Sequence, residues 1–388
     1  MILNSANRII IIGSGIAGFT LAREIRKLSK TVSVTIITKD QGYFYSKPLL
    51  STALANKKDP SDLISSSVKE ISSQLDINIL SNTNVEFIDH KNNTLITSKK
   101  NISYDKLVLA IGANQIRIPI EDSSKDLLLT VNNLEDYIKF RNAITGKKNV
   151  TILGAGLIGC EFANDLVIAG FSVNVIDLAN YPLSRLLPEE AGKYLQNKLA
   201  DAGIKWYLNN SVKSVNHVDD KVCISLTNGT VLHSDVVLSA IGLKPITDLA
   251  KASGISTGQG IHVNRKLQTN IPNVFALGDC AEVENIILPY IMPIMHSAKA
   301  LAMTLVVQDT LLNYPAMPVM VKTPSIPTIV SPPAKDLGGF WRIINFEDGL
   351  EARFESSNGA LQGFALLGSA TSKRADLTKQ LPGILFKS

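Results

Sequence analysis

The sequence predicts an α/β protein with two related three-layer domains, the second inserted into the first, and a small α+β C-terminal domain with an antiparallel sheet. Three observations lead to this architecture. Two glycine-rich turns, beginning at Gly13 and Gly154, each join a β-branched strand to an apolar helical segment. Each turn is followed by a second strand and later by a buried strand that ends in Ala-Ile-Gly, so the pattern is an internal repeat. From Pro315 onward, short strands alternate with turns, which is typical of an antiparallel sheet.

The repeat divides the 388 residues into three units. The first domain is predicted to contain residues 1–115 and 246–316, the inserted domain residues 116–245, and the C-terminal domain residues 317–388. A chain of this length fits two or three domains of ordinary size. With 45% hydrophobic and 19% charged residues, it has ample material for their cores.

Composition argues against several classes of protein. No run approaches the ~18 apolar residues of a membrane span, so we expect no direct membrane insertion. The N-terminal segment has neither a charged region nor a small-residue cleavage site, which favours a cytoplasmic protein. Cys160, Cys223 and Cys280 have no metal-ligand spacing, so we expect free thiols and no metal site. The net charge of +5 could steer an acidic protein partner, but no basic, aromatic-interleaved run predicts nucleic-acid binding.

The two glycine-rich turns have the form G-x-G-x-x-G, which is typical of dinucleotide binding when it lies between a strand and a helix. The first glycine permits a tight turn, the second lets the backbone approach a pyrophosphate, and the third lets the helix pack closely on the strand. The N–H groups at the start of the helix are then free to bind phosphate. The first motif contains Gly13, Ser14, Gly15, Ile16, Ala17 and Gly18, and the second contains Gly154, Gly156, Ile158 and Gly159. The chain is therefore predicted to have two Rossmann-like dinucleotide sites.

The residue that ends each second strand is expected to contact the adenosine ribose. In the second unit this residue is Asp177, whose carboxylate suits free ribose hydroxyls and repels a 2′-phosphate, so NADH is favoured over NADPH. The first unit has Thr38, Lys39 and Asp40 at the corresponding place. Thr38 could offer a hydroxyl and Lys39 a positive charge, and the sequence leaves open which of the three residues serves.

Two buried strands, at 107–112 and 235–242, are predicted to end beside a bound ligand. They close on Gly112 and Gly242, and a glycine at such a position lets the backbone crowd a ligand.

A later strand, Val274–Leu277, presents Gly278 and Asp279 at its end. The Asp279 carboxylate could bind a polyol such as a ribitol chain, or could simply cap a helix. A helix predicted over Ile291–Val307 would place its positive end at Ile291, which suits the anionic edge of a reduced flavin.

Lys47 lies in the apolar segment Gly42–Leu50. An ammonium without a partner is costly in such a setting, so we expect this lysine to have one.

Taken together, the two glycine motifs and the segments LVLAIGA, LSAIGLKP and VFALGDCA resemble the FAD-dependent pyridine-nucleotide oxidoreductases over residues 8–310. A narrower resemblance extends over essentially the whole chain. The segments YSKPLLSTAL, GAGLIGCEFANDL, VKTPSIPTIVSPP and KQLPGILF resemble the rubredoxin–NAD(+) reductases of alkane hydroxylase systems.

The resemblance implies FAD in the first unit and NADH in the second. It implies that Lys47 and Glu161 are catalytic residues, paired beside flavin N5, with the Val85 backbone near the adenine and Lys322 near the flavin pyrimidine. The implied FAD-binding residues are Gly13, Ser14, Gly15, Ile16, Ala17, Gly18, Thr38, Lys39, Lys47, Val85, Ala110, Gly112, Glu161, Gly278, Asp279, Ile291 and Lys322. The implied NAD-binding residues are Gly154, Gly156, Ile158, Gly159, Asp177 and Gly242.

The disulfide reductases of this superfamily have redox cysteines where this chain has the cysteine-free segment 43–50. Electrons therefore cannot pass through a dithiol. The resemblance implies hydride transfer from NADH to FAD, followed by single-electron transfer to rubredoxin, an acidic iron protein that would feed an alkane monooxygenase. Two alternatives stay open: a ferredoxin reductase of an oxygenase system, and a flavoprotein resembling apoptosis-inducing factor with a mainly binding role.

Overall fold

The computed structural model describes residues 8–118 and 127–385. Two parallel five-stranded sheets form its centre, and both have the same strand arrangement. The first sheet, from edge to edge, contains Val274–Ala276, Lys106–Leu109, Arg8–Ile12, Ser33–Ile37 and Asn78–Leu80. The second contains Leu128–Thr130, Val236–Ser239, Asn149–Leu153, Ser172–Ile176 and Ile204–Tyr207. The predicted pair of related α/β domains is thus confirmed.

The central strand of each sheet is apolar along nearly its whole length because helices and further strands cover both faces. In Arg8–Ile12 only Arg8 is exposed, and in Asn149–Leu153 every residue after Asn149 is buried. The helix that follows each glycine motif runs from Ile16 to Leu28 and from Leu157 to Ile168. The remaining α-helices in the described ranges are Val68–Leu75, Leu134–Ile144, Glu189–Asp201, Asp248–Ala252, Ile291–Val306 and Arg374–Gln380.

The strand pairing shows that the second domain is inserted into the first. Val274–Ala276, from beyond the inserted domain, pairs in parallel with Lys106–Leu109 of the first sheet. Between the domains, Ala113–Gln115 pairs antiparallel with Leu243–Pro245, so the chain leaves and returns along a two-stranded ribbon. The predicted domain boundaries at 115 and 245 fall at the ends of this ribbon, and they stay predictions.

Each parallel sheet is accompanied by a three-stranded antiparallel layer. The first layer contains Val85–Asp89, Thr94–Thr97 and Ile102–Ser103, and the second contains Val212–Val218, Lys221–Leu226 and Val231–Ser234. The turn of the second layer has Gly229 at a φ of 88°, a left-handed conformation that glycine adopts without strain. Two smaller pairs join Phe44–Tyr45 to Ile64–Ser66 and Ile261–Val263 to Ala281–Val283.

The C-terminal domain is a five-stranded antiparallel sheet, as the sequence predicts. Its strands in spatial order are Val319–Val321, Thr328–Ser331, Leu361–Gly368, Gly349–Glu355 and Phe340–Phe346. Val321 and Val330 share one buried apolar cluster with Phe162 of the inserted domain and with Leu50 of the first domain. This cluster fixes the three domains against one another around the helix Leu157–Ile168. Within the described ranges, the structure has no helix that is both long and apolar enough to cross a membrane.

Candidate active site

The two glycine motifs form equivalent turns. Gly13 has a φ of 116°, and a Cβ at this position would lie 2.2 Å from the carbonyl oxygen of Ala110. Gly154 has a φ of 103°, and its Cβ would lie 2.6 Å from the carbonyl oxygen of Ala240. Only glycine fits either position, because both the backbone conformation and the adjacent strand exclude a side chain.

The other glycines of the two turns have distinct surroundings. A Cβ at Gly18 or Gly159 would lie 2.0 or 1.9 Å from the carbonyl oxygen of the first glycine in the same turn. A Cβ at Gly15 or Gly156, by contrast, would meet no atom within 4 Å. Each of these two middle glycines also caps its helix without a side-chain hydrogen bond. Both turns therefore fit a dinucleotide, because a pyrophosphate needs close backbone approach and free N–H donors.

Asp177 ends its strand beside the second turn. Its Oδ2 accepts a hydrogen bond from the Ala155 backbone N–H at 2.5 Å, and its Oδ1 accepts one from Ala179 at 2.7 Å. The carboxylate is thereby held next to the glycine turn, where a ribose would lie.

The first turn has a corresponding carboxylate, displaced by two residues. The Ser14 hydroxyl donates to Thr38 Oγ1 at 2.9 Å and to Asp40 Oδ1 at 3.0 Å, and Thr38 donates to the same Asp40 oxygen at 2.7 Å. Ser14 occupies the position that Ala155 has in the second motif. Among the three residues left open by the sequence, Asp40 therefore matches Asp177 in chemistry, whereas Lys39 is an exposed residue outside this hydrogen-bonded group.

Gly278 and Asp279 lie beside the start of the first motif's helix. A Cβ at Gly278 would lie 2.9 Å from Cβ of Ala17, so this strand end packs directly on the helix. Burial raises the pKa of Asp279, and the positive charge of Lys47 partly offsets that rise. Burial lowers the pKa of Lys47, and the charges of Asp279 and Asp136 oppose the change. Lys47 and Asp279 are thus close enough for the charge of each to shift the pKa of the other.

Lys47 has a partner, but the implied pairing with Glu161 is wrong. Lys47 Nζ donates to Asn132 Oδ1 at 2.6 Å, and Asn132 in turn donates to the carbonyl oxygen of Ala113 at 2.8 Å. The cation beside Glu161 is Lys322, whose Nζ lies 2.7 Å from Oε2.

Glu161 is fully buried, at 0% exposure, on the helix that begins at the second turn. Its Oε2 accepts from the Ser51 hydroxyl at 2.6 Å, and its Oε1 accepts from the Lys322 backbone N–H at 3.0 Å. Lys322 Nζ also donates to Ser51 Oγ at 2.8 Å and to the carbonyl of Pro48. Because the Lys322 side chain and backbone N–H both reach the carboxylate, the buried charge is satisfied without Lys47.

Two further polar residues on this helix were missed by the sequence reasoning. Asn164 Nδ2 donates to Ser325 Oγ at 2.6 Å, and Asn164 Oδ1 accepts from the Ser325 backbone N–H at 3.2 Å. Asp165 accepts from the backbone N–H groups of Leu54 at 3.2 Å and Ala55 at 2.8 Å. The available signal was the spacing of Glu161, Asn164 and Asp165 along one face of an otherwise apolar helix.

Burial raises the pKa of Asp165 to about 6. The N–H groups of Ala55 and Leu54 oppose this rise, and so, more weakly, do the charges of Arg141 and Lys322.

The other candidate residues lie at or near the ends of helices and strands. Gly112 and Gly242 both have positive φ, at 72° and 124°. The buried strands predicted to reach them end three residues earlier, at Leu109 and Ser239. Val85 is buried and is the first residue of the strand Val85–Asp89. Ile158 is exposed in the first turn of its helix, and Ile291 is the first residue of the helix Ile291–Val306. The three cysteines are free thiols, with Cys160 and Cys280 buried.

Comparisons with known proteins identify the family of this chain. Residues 7–303 match the family described as pyridine nucleotide-disulphide oxidoreductase, and residues 312–381 match a rubredoxin binding C-terminal domain. The chain belongs to the pyridine nucleotide-disulphide oxidoreductase family.

Within that family, the chain is similar to curated rubredoxin-NAD(+) reductases. It is 42% identical to that of Alcanivorax borkumensis, over 97% of this chain and 99% of the relative. It is 45% identical to that of Acinetobacter baylyi, over 97% of this chain and 98% of the relative. The fold is also that of a ferredoxin reductase from Rhodopseudomonas palustris, with a TM-score of 0.88 at 24% identity over 97% of this chain and 95% of the other.

Proposed function

We propose that this chain is an FAD-dependent reductase that takes electrons from NADH and passes them one at a time to rubredoxin. The relatives named rubredoxin-NAD(+) reductase match over nearly their full length. The observation that carries the proposal is a contact within this chain. Lys322, in the region that matches a rubredoxin binding domain, pairs with Glu161 on the helix that begins at the second dinucleotide turn.

Each glycine turn binds a different dinucleotide. Gly13, Gly15 and Gly18 suit the FAD pyrophosphate, and the second turn suits that of NADH. Asp177 favours NADH over NADPH, because its carboxylate would repel a 2′-phosphate. When bound, FAD supplies the two-electron to one-electron conversion, because it accepts a hydride and releases electrons singly.

Lys47, Glu161 and Lys322 differ in the charge that they bring to the junction between the domains. Lys47 is a half-buried cation whose hydrogen-bond acceptor, the Asn132 side chain, is neutral. A cation in this position would stabilise negative charge on a reduced flavin. Glu161 and Lys322 neutralise one another, so they close the domain junction without adding net charge to it.

The redox partner and setting follow from the same family. We propose that the reduced rubredoxin feeds an alkane monooxygenase, which is supported by the resemblance of segments such as VKTPSIPTIVSPP to reductases of alkane hydroxylase systems. We also propose a cytoplasmic location, supported by the three cysteines, which are free thiols as expected in a reducing compartment.

Stopped-flow spectroscopy tests the function directly. The FAD-loaded protein is mixed with NADH or NADPH, and the reduced protein is then mixed with rubredoxin or with a [2Fe–2S] ferredoxin. We expect fast flavin reduction by NADH, slow reduction by NADPH, and fast reoxidation by rubredoxin. Faster reoxidation by ferredoxin would instead favour the ferredoxin reductase alternative. Slow NADH oxidation with every acceptor would favour a binding protein resembling apoptosis-inducing factor.

A further inference from the structure

Asp165 holds a segment of the first domain from across the domain junction. The segment begins with the 3₁₀ helix Lys47–Thr52 and continues through Leu54 and Ala55. Asp165 belongs to the inserted domain, yet its two carboxylate oxygens accept the backbone N–H groups of Leu54 and Ala55. Its exposure is 2%, so these contacts are shielded from water.

The same segment is held at two other points. Ser51 donates to Glu161, four residues before Asp165 on the same helix. Two residues before the segment begins, the Tyr45 hydroxyl accepts the backbone N–H of Leu134 at 3.1 Å. Lys47 lies between these anchors, and its own contact with Asn132 is also to the inserted domain. The position of the Lys47 ammonium relative to the crevice therefore depends on how firmly the segment is docked.

We propose that Asp165 is a positioning residue for flavin reduction, which it supports by fixing the segment that carries Lys47 against the inserted domain. Asp165 does this through backbone donors, so its role does not depend on the side chains at positions 54 and 55. Hydrogen bonds from backbone N–H groups to a buried carboxylate are stronger than those to a neutral acceptor. In Asp165→Asn, the side-chain amide would keep one acceptor oxygen but would turn its NH₂ group toward the second backbone N–H. This would weaken the contact between the segment and the inserted domain.

No cation lies close to the Asp165 carboxylate in the part of the chain that the structure describes. The charged groups that face it, Arg141 from the helix Leu134–Ile144 and Lys322 from the C-terminal domain, act on it only at a distance. It has no ion-pair partner within 4 Å among the residues of the described ranges, unlike its neighbour Glu161. A carboxylate buried in this way is costly, and its retention is explained by the two N–H groups that it holds.

The chain offers a matched control. Asp235 also accepts two backbone N–H groups through its carboxylate, from Lys148 at 3.0 Å and Asn149 at 2.8 Å. It lies in the inserted domain, and its contacts are confined to that domain. Asp235→Asn therefore removes a similar interaction without touching the Lys47 segment.

The experiment compares Asp165→Asn and Asp235→Asn as full-length, FAD-loaded proteins. Amide hydrogen exchange is measured by mass spectrometry on peptides covering residues 53–57, and flavin reduction is measured at saturating NADH. In Asp165→Asn we expect about tenfold faster exchange in this peptide and about tenfold slower reduction, the factor given by one weakened charged hydrogen bond. In Asp235→Asn we expect neither change.

Two results would overturn the proposal: unchanged exchange in Asp165→Asn, or faster exchange with an unaltered rate of reduction. If Asp165→Asn does not retain FAD, amide exchange and the rate of flavin reduction are measured on Asp165→Glu instead, and the same two results would overturn the proposal. Because the rate measurement rests on the proposed function, wild-type protein is first tested for NADH-dependent reduction. Failure of the wild type would count against the proposed function, whereas the exchange result would still decide whether Asp165 docks the segment.

Discussion

The ion pair between Lys322 and Glu161 is expected to hold the C-terminal domain on the inserted domain. Lys322→Met removes the ammonium that lies 2.7 Å from a carboxylate with 0% exposure. Breaking a buried ion pair by removing one partner costs about 3–5 kcal/mol. Lys322 is 28% exposed, and Ser51 and the Lys322 backbone N–H still donate to Glu161. We therefore expect a loss of about 2–3 kcal/mol in the stability of this junction.

Tryptophan fluorescence can report on this junction. The chain has two tryptophans, Trp206 in the inserted domain and Trp341 in the C-terminal domain. In a Trp206→Phe background, urea unfolding followed by Trp341 emission reports on the C-terminal domain alone, which matters because a three-domain protein need not unfold in one step. Glu161→Gln and the double variant complete a double-mutant cycle, in which we expect a coupling of about 1–2 kcal/mol.

Lys379→Met is the matched control for this cycle. Lys379 lies in the same domain, but its pair with Asp376 is 3.9 Å long and both side chains are about four-fifths exposed. Exposed pairs of this kind contribute little, so we expect no measurable change. The reasoning would be refuted if Lys322→Met shifted the transition no more than Lys379→Met, or if the cycle were additive.

Four further predictions concern the cofactor sites and pH. Asp177→Asn should weaken NADH binding about tenfold and improve the relative affinity for NADPH, measured by equilibrium titration, since one carboxylate contact is lost. Asp40→Asn should lose FAD on dilution faster than Lys39→Gln does, measured by flavin fluorescence. Lys47→Met should lower the flavin midpoint potential, and an unchanged potential would contradict a role for this cation. Burial raises the pKa of Asp165 from 3.8 to about 6, so its stabilising contribution is complete below pH 3.8 and is lost as the pH rises through about 6. The unfolding free energy of wild type relative to Asp165→Asn should therefore fall by up to roughly 3 kcal/mol over this range, and a flat difference would count against the shift.

Local sequence signals predicted the two dinucleotide turns well. Gly13 and Gly154 are required by a positive φ and by an adjacent carbonyl group, and both constraints leave glycine as the only fit. The repeat also predicted two related domains, and the two parallel sheets indeed have the same strand arrangement. Such features depend on residues close together in the chain, and a single sequence is enough to see them.

The interactions between domains could not be predicted in the same way. Glu161 was expected beside Lys47, but the structure brings it to Lys322, 161 residues away, because the C-terminal domain docks on that helix. Asp165 was overlooked because its partners are backbone N–H groups, which leave no trace in the pattern of side chains. Asp40 was left as one of three choices because only the fold shows that Ser14 reaches it.

The comparison of two acceptors tests the central claim most directly. With NADH held at saturation, kcat/KM of the FAD-loaded enzyme is measured for rubredoxin and for a [2Fe–2S] ferredoxin at the same ionic strength. If the region 312–381 serves rubredoxin, kcat/KM should be at least tenfold higher for rubredoxin, which corresponds to about 1.4 kcal/mol of transition-state preference. Equal values, or a preference for ferredoxin, would contradict the assignment of rubredoxin as the electron acceptor.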